Sequence, residues 1–265
     1  MVRRAMKLQL LIATVDGAFF ERGYAPPFDD YLVINQISRP ASESTGNHSR
    51  PNTFDYQETG LSRSRNRALQ HADADIGIIA DDDVRHPDDA PVIIARAFAA
   101  HPRADIITFQ ARTPDGASFK KYPSRARRHS ARSLMRVSSW EIALRLESIR
   151  AAGLRFDERF GLGATFPTGE ENIFLLDALR RGLNLRYVPQ PIAIHPAQSS
   201  GADFSHPDNI VAKGAAFRRM FGAASAPLAC AFAYKKYRLS DLTCRQFYRH
   251  MRAGDLAYQR HLKRA

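Results

Sequence analysis

Asp81, Asp82 and Asp83 follow directly on the apolar run Ile76, Gly77, Ile78, Ile79 and Ala80. Such a run predicts a buried strand, which puts the three acids where that strand leaves the core. Three adjacent carboxylates repel one another unless something positive neutralises them. A divalent cation that also carries a diphosphate does this, because hard cations share oxygen ligands between carboxylates and phosphates. A solvated acidic turn, continued by Asp88 and Asp89, is the plain alternative for the triplet on its own.

Three further groups bear on the same chemistry. Residues 60–69 read GLSRSRNRAL, an arginine-rich opening to a predicted helix. Arg63 or Arg65 there is suited to holding a nucleotide, since a helix N-terminus favours anions; arginines at 63, 65 and 67 also suit a solvated helix face. Gly161 and Gly163 permit close backbone approach to a substrate. Glu170 and Glu171 open a second predicted helix, whose dipole favours their ionised forms. An ionised carboxylate accepts a proton from a hydroxyl as a general base. Adjacent helical residues point about 100° apart, so only one of the two faces a given atom; ordinary first-turn acids are the alternative. His195 follows an apolar strand, and its imidazole fits a metal shell with Asp83, suiting manganese better than calcium. A lone histidine after a strand is, however, more often structural than a ligand. Asp81 is placed to meet a ribose or a metal-bound water, and Asp82 has no assigned role.

The elements that position these groups alternate. The pattern predicts strands over 7–14, 31–35, 75–80 and 104–110, and helices over 61–71 and 87–100. A later helix is expected from near Gly169 to Arg181, ending at Gly182, then two short strands over 185–188 and 191–194. The segment 39–57, rich in Pro, Ser, Thr and Asn, predicts a long loop, and 113–132 predicts a basic irregular stretch. Strand–helix alternation of this kind predicts an α/β fold with a mainly parallel sheet covered by helices. Ligands of such sheets sit beyond the carboxyl ends of the strands, and Asp16, Asn35 and the acidic triplet all fall there.

Composition narrows the class. At 265 residues, 44% hydrophobic and 25% charged, the chain is ordinary for a globular protein with one large core or two modest ones. No run approaches 18 apolar residues, so no transmembrane helix is expected. The basic N-terminus leads into a short apolar stretch that reads as a first strand rather than a signal peptide. Two cysteines, Cys230 and Cys244, make neither a disulfide framework nor a metal-site spacing, and the simplest setting is cytoplasmic. The net charge is +12. From Val211 onward twelve Lys or Arg stand against two acids, so a surplus of ten sits in the tail and the body is near neutral. A basic tail interleaved with Phe217, Phe221, Phe232, Tyr234, Tyr237, Phe247, Tyr248 and Tyr258 suits an interfacial helix on an anionic membrane. The same residues equally suit packing on the body.

The ordered set resembles the family 2 glycosyltransferases with the GT-A (Rossmann-like) fold, of the bacterial polysaccharide-building kind. The matching segments are GLSRSRNRA at 60–68, IADDDV at 79–84, FDERFGLG at 156–163, GEENIF at 169–174 and IHP at 194–196. The resemblance spans residues 7–221, and with it the chain divides into a GT-A catalytic domain over 1–221 and a basic helical extension over 222–265. It implies transfer of a sugar from a nucleotide-diphosphate sugar, with UDP as the expected nucleotide, to an acceptor hydroxyl with inversion, in bacterial surface polysaccharide synthesis. Asp81, Asp82 and Asp83 occupy the place of the family's DXD motif, with Asp83 as the ligand of Mn2+ or Mg2+ and His195 beside it. Gly161 and Gly163 lie where the family has its loop near the donor sugar. Glu170 and Glu171 lie at its acidic helix start, whose last residue is usually Asp and the base; here that residue is Glu171. Thr14, Asp16 and Asn35 lie where such enzymes hold base and ribose, although the strand ending Ala13, Thr14, Val15, Asp16, Gly17 departs from the commonest one. The implied partners are a nucleotide sugar, a glycan or lipid-linked glycan acceptor and, through the tail, the inner face of a membrane; no nucleic acid is expected.

Two rivals belong to other classes. A nucleotidyltransferase on a related sheet would carry a glycine-rich basic loop after the first strand, where this chain has no Lys or Arg until Arg22. A nucleic-acid-binding protein would use the basic tail and bind with a steep salt dependence.

Overall fold

The computed structural model describes residues 5–38, 50–196 and 203–263. These fall into two compact units, one of residues 5–38, 50–59, 63–156 and 174–196, the other of 60–62, 157–173 and 203–263.

The first unit holds one eight-stranded sheet. In chain order its strands are β1 (Leu8–Val15), β2 (Tyr31–Gln36), β3 (Thr53–Tyr56), β4 (Ile76–Asp81), β5 (Ile106–Arg112), β6 (Arg127–Arg128), β7 (Ile142–Arg145) and β8 (Leu185–Ile194). They lie in the order β3-β2-β1-β4-β7-β5-β8-β6. β3, β2, β1 and β4 pair in parallel, as do β5 and β8, whereas β7 runs against β4 and β5, and β6 against β8. The expected mainly parallel α/β sheet is therefore present, with an antiparallel strand at its middle.

Successive residues of β1 serve opposite faces. Leu11 joins Ile34, Ile79, Ile142, Leu144, Phe174 and Leu175 on one side. Leu10 and Ile12 join Val33, Ile78, Ile107, Ala143 and Phe98 on the other. A sheet covered on both faces needs apolar residues at every position, which is why these strands read as continuous runs rather than alternations. The helices that run along the chain are α1 (Ala18–Glu21), α2 (Leu61–His71), α3 (Ala90–Ala100), α4 (Ala131–Leu134), α5 (Leu146–Ala151) and α6 (Glu170–Arg180).

Several local expectations change. Residues 53–56 of the expected loop form β3, paired with β2; residues 39–49 of that loop lie outside the described residues. The two strands expected over 185–188 and 191–194 are one strand, β8. Its register slips opposite Gln110, where Pro189 and Pro191 remove two ladder donors. β7 and α5 were not expected from the sequence. The basic stretch 113–132 contains β6, and α3 starts three residues later than the expected helix over 87–100.

The second unit is helical, with α7 (Pro207–Phe221), α8 (Ser225–Lys236) and α9 (Cys244–Leu262). Ile210, Ala229, Ala233, Phe247 and Met251 form its core, with Phe217, Phe232 and Tyr248 packed against them. The basic tail is thus helical, and most of its aromatic rings pack within this unit. Helices on both sides of position 221 share that core. Among the described residues, no helix is long and apolar enough to cross a membrane.

Candidate functional site

Parallel register brings the strand ends of the sheet unit level. Ala13 pairs with Asp81, Thr14 with Asn35, and Asn35 with Asp55. Chemistry-bearing side chains from four strands therefore collect at one end of the sheet.

Each acid of the triplet has a different environment. Asp81 is held on both oxygens: Arg65 Nη2 donates to Oδ1 at 2.8 Å and Ser139 Oγ donates to Oδ2 at 3.1 Å. Asp82, left without a role by the sequence, accepts from Thr14 Oγ1 at 2.6 Å and from Arg22 at 3.4 Å. Burial pushes the Asp82 carboxyl above its ordinary pKa, against the opposing hydrogen bond from Thr14 and the charge of Arg22. Asp83 is the exposed member, at 43% of its side chain, and its Oδ2 lies 3.6 Å from His195 Nε2. The neighbouring imidazole holds Asp83 below the usual carboxylate range despite partial burial.

His195 reaches Asp83 because an antiparallel bridge ties Arg85 to Ile194, with Ile194 N donating to Arg85 O at 2.7 Å. Asp83, two residues before Arg85, and His195, one residue after Ile194, are thereby brought close. Its Nδ1 lies 2.7 Å from the carbonyl oxygen of Pro196. A carbonyl only accepts, so Nδ1 carries the hydrogen and the neutral ring presents the Nε2 lone pair. Burial lowers the His195 pKa, but Asp83 and the Pro196 carbonyl outweigh it and leave the imidazole above its ordinary value.

The nucleoside candidates sit beside the triplet. Thr14 is committed to Asp82 and also accepts from Phe19 N at 3.0 Å. Asp16 has a left-handed backbone, φ 49, and accepts from Ser38 N at 2.9 Å. Asn35 accepts from Gly17 N and donates to Asp55, both at 2.8 Å. Arg65 departs from the expected anion-facing side chain: it is 2% exposed and spent on Asp81, whereas Arg63 of the same helix is exposed.

In the helical unit, the 157–173 segment forms its own constellation. Ser62 Oγ donates to Phe160 O at 2.6 Å, and Leu61 N donates to Leu162 O at 2.8 Å. Gly161 has φ +105, and a Cβ there would stand 3.2 Å from Ser62 Oγ and 3.4 Å from the Glu170 carboxyl carbon. Gly163, φ +76, would bring one to 3.3 Å from Gly60 N. Both positions thus need glycine for conformation and for space. Glu170 is buried against this glycine, while Glu171, the next residue of α6, is only half-buried.

Among the described residues, no group of three or more His, Cys, Asp or Glu is arranged to hold a metal ion. Asp83 and His195 are a two-residue set, one carboxylate and one imidazole. That set fits a cation whose remaining ligands are diphosphate oxygens and water, the usual arrangement for Mg2+ or Mn2+ on a nucleotide. Ser139, Arg22, Asp55 and Trp140, which stacks on His195, carry no sequence signal that marks them; they come from irregular or short segments.

The sheet and its strand-end acids define a GT-A-type fold, and comparisons agree. Residues 51–166, less than half of the chain, match the family model described as glycosyl transferase family 2. Among solved structures, S. aureus TarS 1–349 superposes with TM-score 0.55 at 12% identity, covering 97% of this chain and 92% of that one. S. aureus TarS 1–349 in complex with UDP-GlcNAc gives 0.54 at 14% identity, covering 89% and 74%. A further S. aureus TarS structure gives 0.54 at 13% identity; the match covers 89% of this chain but only 44% of that longer one. These likenesses establish the fold. A comparison with curated proteins finds no match.

Proposed function

We propose that the protein is an inverting glycosyltransferase that moves a sugar from a nucleoside-diphosphate sugar, a UDP-sugar, to an acceptor hydroxyl. The pair formed by Asp83 and His195 at the strand ends carries this proposal. It is supported by the family 2 match and by the UDP-GlcNAc complex of the TarS neighbour. Asp83 and His195 would hold Mn2+ or Mg2+, which neutralises negative charge on the diphosphate. Asp82, Asp16, Asn35 and Asp55 line the nucleoside side, and Asp81 is kept in place by Arg65 and Ser139.

Glu171 takes the proton of the acceptor hydroxyl. The acceptor oxygen forms its bond to the anomeric carbon on the face opposite the leaving group, the bond from that carbon to phosphate oxygen breaks, and the nucleoside diphosphate departs. The partial exposure of Glu171, against the burial of Glu170 beside Gly161, favours Glu171 as the base. Gly161 and Gly163 shape the backbone near the donor sugar, and Arg63 contributes positive charge on α2.

The acceptor is a glycan or a lipid-linked glycan of bacterial surface polysaccharide synthesis. The C-terminal helices attach the enzyme to the cytoplasmic face of an anionic membrane. Leu228, Tyr234 and Leu239 are exposed, Tyr234 at 77%, in the same segment as Lys235, Lys236 and Arg238. Equal liposome sedimentation of the full chain and of a Leu228→Ser/Tyr234→Ser/Leu239→Ser variant would remove that part.

A thermal-shift screen of nucleotide sugars with and without Mn2+, followed by a product assay, tests the activity. The expected result is a Mn2+-dependent shift by a UDP-sugar, release of UDP, and loss of turnover with Asp83→Ala. Release of pyrophosphate instead of a nucleoside diphosphate would contradict it.

A further inference from the structure

Trp140 is the only tryptophan in the chain. Its indole lies face to face with the imidazole of His195, ring centroids 4.0 Å apart and planes within 5°. Phe119 stands edge-on to both rings, at 5.7 Å from Trp140 and 5.8 Å from His195. The indole is 7% exposed, and its Nε1–H has no hydrogen-bond partner among the described residues. Buried indole N–H groups ordinarily find an acceptor. Trp140 is therefore held by its faces and edges, and its polar tip contributes nothing.

The turn that carries Trp140 is braced. Glu141, buried, accepts from Lys120 Nζ at 2.7 Å, Tyr122 OH at 2.6 Å and Ser138 N at 3.2 Å. Ser139 of the same turn donates to Asp81. Residues 139–141 thus touch the acidic triplet with one side chain and the histidine with the next.

Among the described residues the imidazole makes one hydrogen bond, from Nδ1 to the Pro196 carbonyl, and that contact by itself leaves the ring free to tilt. A parallel ring at 4.0 Å removes the tilt, because rotation out of plane drives the imidazole into the indole. With the plane fixed, Nε2 stays directed at Asp83. We infer that Trp140 is a positioning residue for the cation subsite, holding the His195 ring so that Nε2 and Asp83 Oδ2 address one divalent ion. This rests on the cation role proposed above for Asp83 and His195. Groups that orient metal-binding histidines typically change metal affinity by about 10- to 100-fold when removed.

The test is Mn2+ binding by electron paramagnetic resonance on the full chain with UDP present, for the wild type, Trp140→Phe and Trp140→Leu. Trp140→Phe keeps an aromatic face and is expected within about threefold of wild type. Trp140→Leu removes the face and is expected to weaken Mn2+ at least tenfold, with metal-free UDP binding unchanged. Trp140→Leu binding Mn2+ as tightly as wild type overturns the inference while leaving the cation role standing. A wild type that binds no Mn2+ sinks the cation role, and the inference with it. If Trp140→Leu does not fold, emission from the single tryptophan decides. Paramagnetic Mn2+ at His195 should quench wild-type emission, and His195→Gln should abolish the quench. Mn2+ binding without any change in wild-type emission overturns the inference.

Discussion

Arg65 donates through Nη2 to Asp81 Oδ1 at 2.8 Å, with 2% of the arginine and 24% of the aspartate side chain exposed. The guanidinium also lies 5.6 Å above the ring of Phe156. Removing one partner of a buried pair costs about 3–5 kcal/mol, mainly because the other charge is left behind. Asp81 is partly exposed, so Arg65→Leu is expected near the lower end of that range, read by urea unfolding. Adding Asp81→Asn should recover part of the loss by removing the stranded charge. A double variant no more stable than Arg65→Leu alone would show that the pair is not what the arginine supports.

That pairing also marks where the sequence stops being legible. Strand ends were readable: an apolar run followed by acids placed Asp81, Asp82 and Asp83, and the same logic placed Asp16 and Asn35. Helix α2 was readable to the residue, Leu61–His71. What its arginines do was not, because Arg63, Arg65 and Arg67 look alike in sequence. On a helix, Ser62, Arg65, Asn66 and Leu69 share one face by their spacing, and all four are buried. A polar inward face defeats a pattern search keyed to apolar residues. β7 was missed for another reason: Ile142, Ala143 and Leu144 form too short an apolar run to separate from the turn and helix around it. With β7 missed, the turn before it, and so Ser139 and Trp140, had no predicted neighbours.

Glu170 and Glu171 make a second prediction. If Glu171 is the base, Glu171→Gln should lower kcat by about 10²- to 10⁴-fold and leave nucleotide affinity nearly intact. Glu170, buried beside Gly161, should behave differently: Glu170→Gln is expected to lower Tm while retaining most turnover. Steady-state kinetics with titration calorimetry separates the two. An active Glu171→Gln beside an inactive, well-folded Glu170→Gln would reverse the assignment.

Two histidines away from the acidic triplet should contribute strongly to the pH dependence of stability on the acid side. Burial pushes His86 down to about 4, and burial with the charge of Arg127 pushes His129 down to about 4. Below the ordinary histidine value near 6.5, the unfolded chain takes up a proton at each position and the folded chain does not. Stability from these two is complete above about pH 6.5, falls as the pH drops toward 4, and levels below that. Each contributes roughly 3 kcal/mol across the window. His195 is shifted the opposite way, so its contribution changes above pH 6.5. His101 is lowered like the other two, and the half-buried Asp82 and buried Glu141 carboxyls, raised above their ordinary values, add their own dependence on the acid side. Urea unfolding between pH 7 and 4.5 should show a smaller slope for His129→Gln than for wild type. Parallel slopes would mean that His129 is already protonated in the folded state.

Within the helical unit, α7 and α9 touch backbone to backbone. A Cβ on Gly214 would fall 1.9 Å from the Met251 carbonyl oxygen, and one on Gly254 would fall 1.8 Å from that of Val211. Neither obstacle is a side chain that can rotate aside, so a methyl group forces the helices apart. Alanine is worth about 1 kcal/mol over glycine in a helix interior. Overpacking costs about 1–3 kcal/mol or more, and separating the helices also loosens the core around Phe247 and Met251. Gly214→Ala and Gly254→Ala are each expected to destabilise, with faster amide exchange along α9. The double variant should lose less than the sum, because helices already parted by one methyl leave room for the second. A rise in Tm with Gly214→Ala, or strictly additive losses, would show that these helices are not in the close contact that the glycines allow.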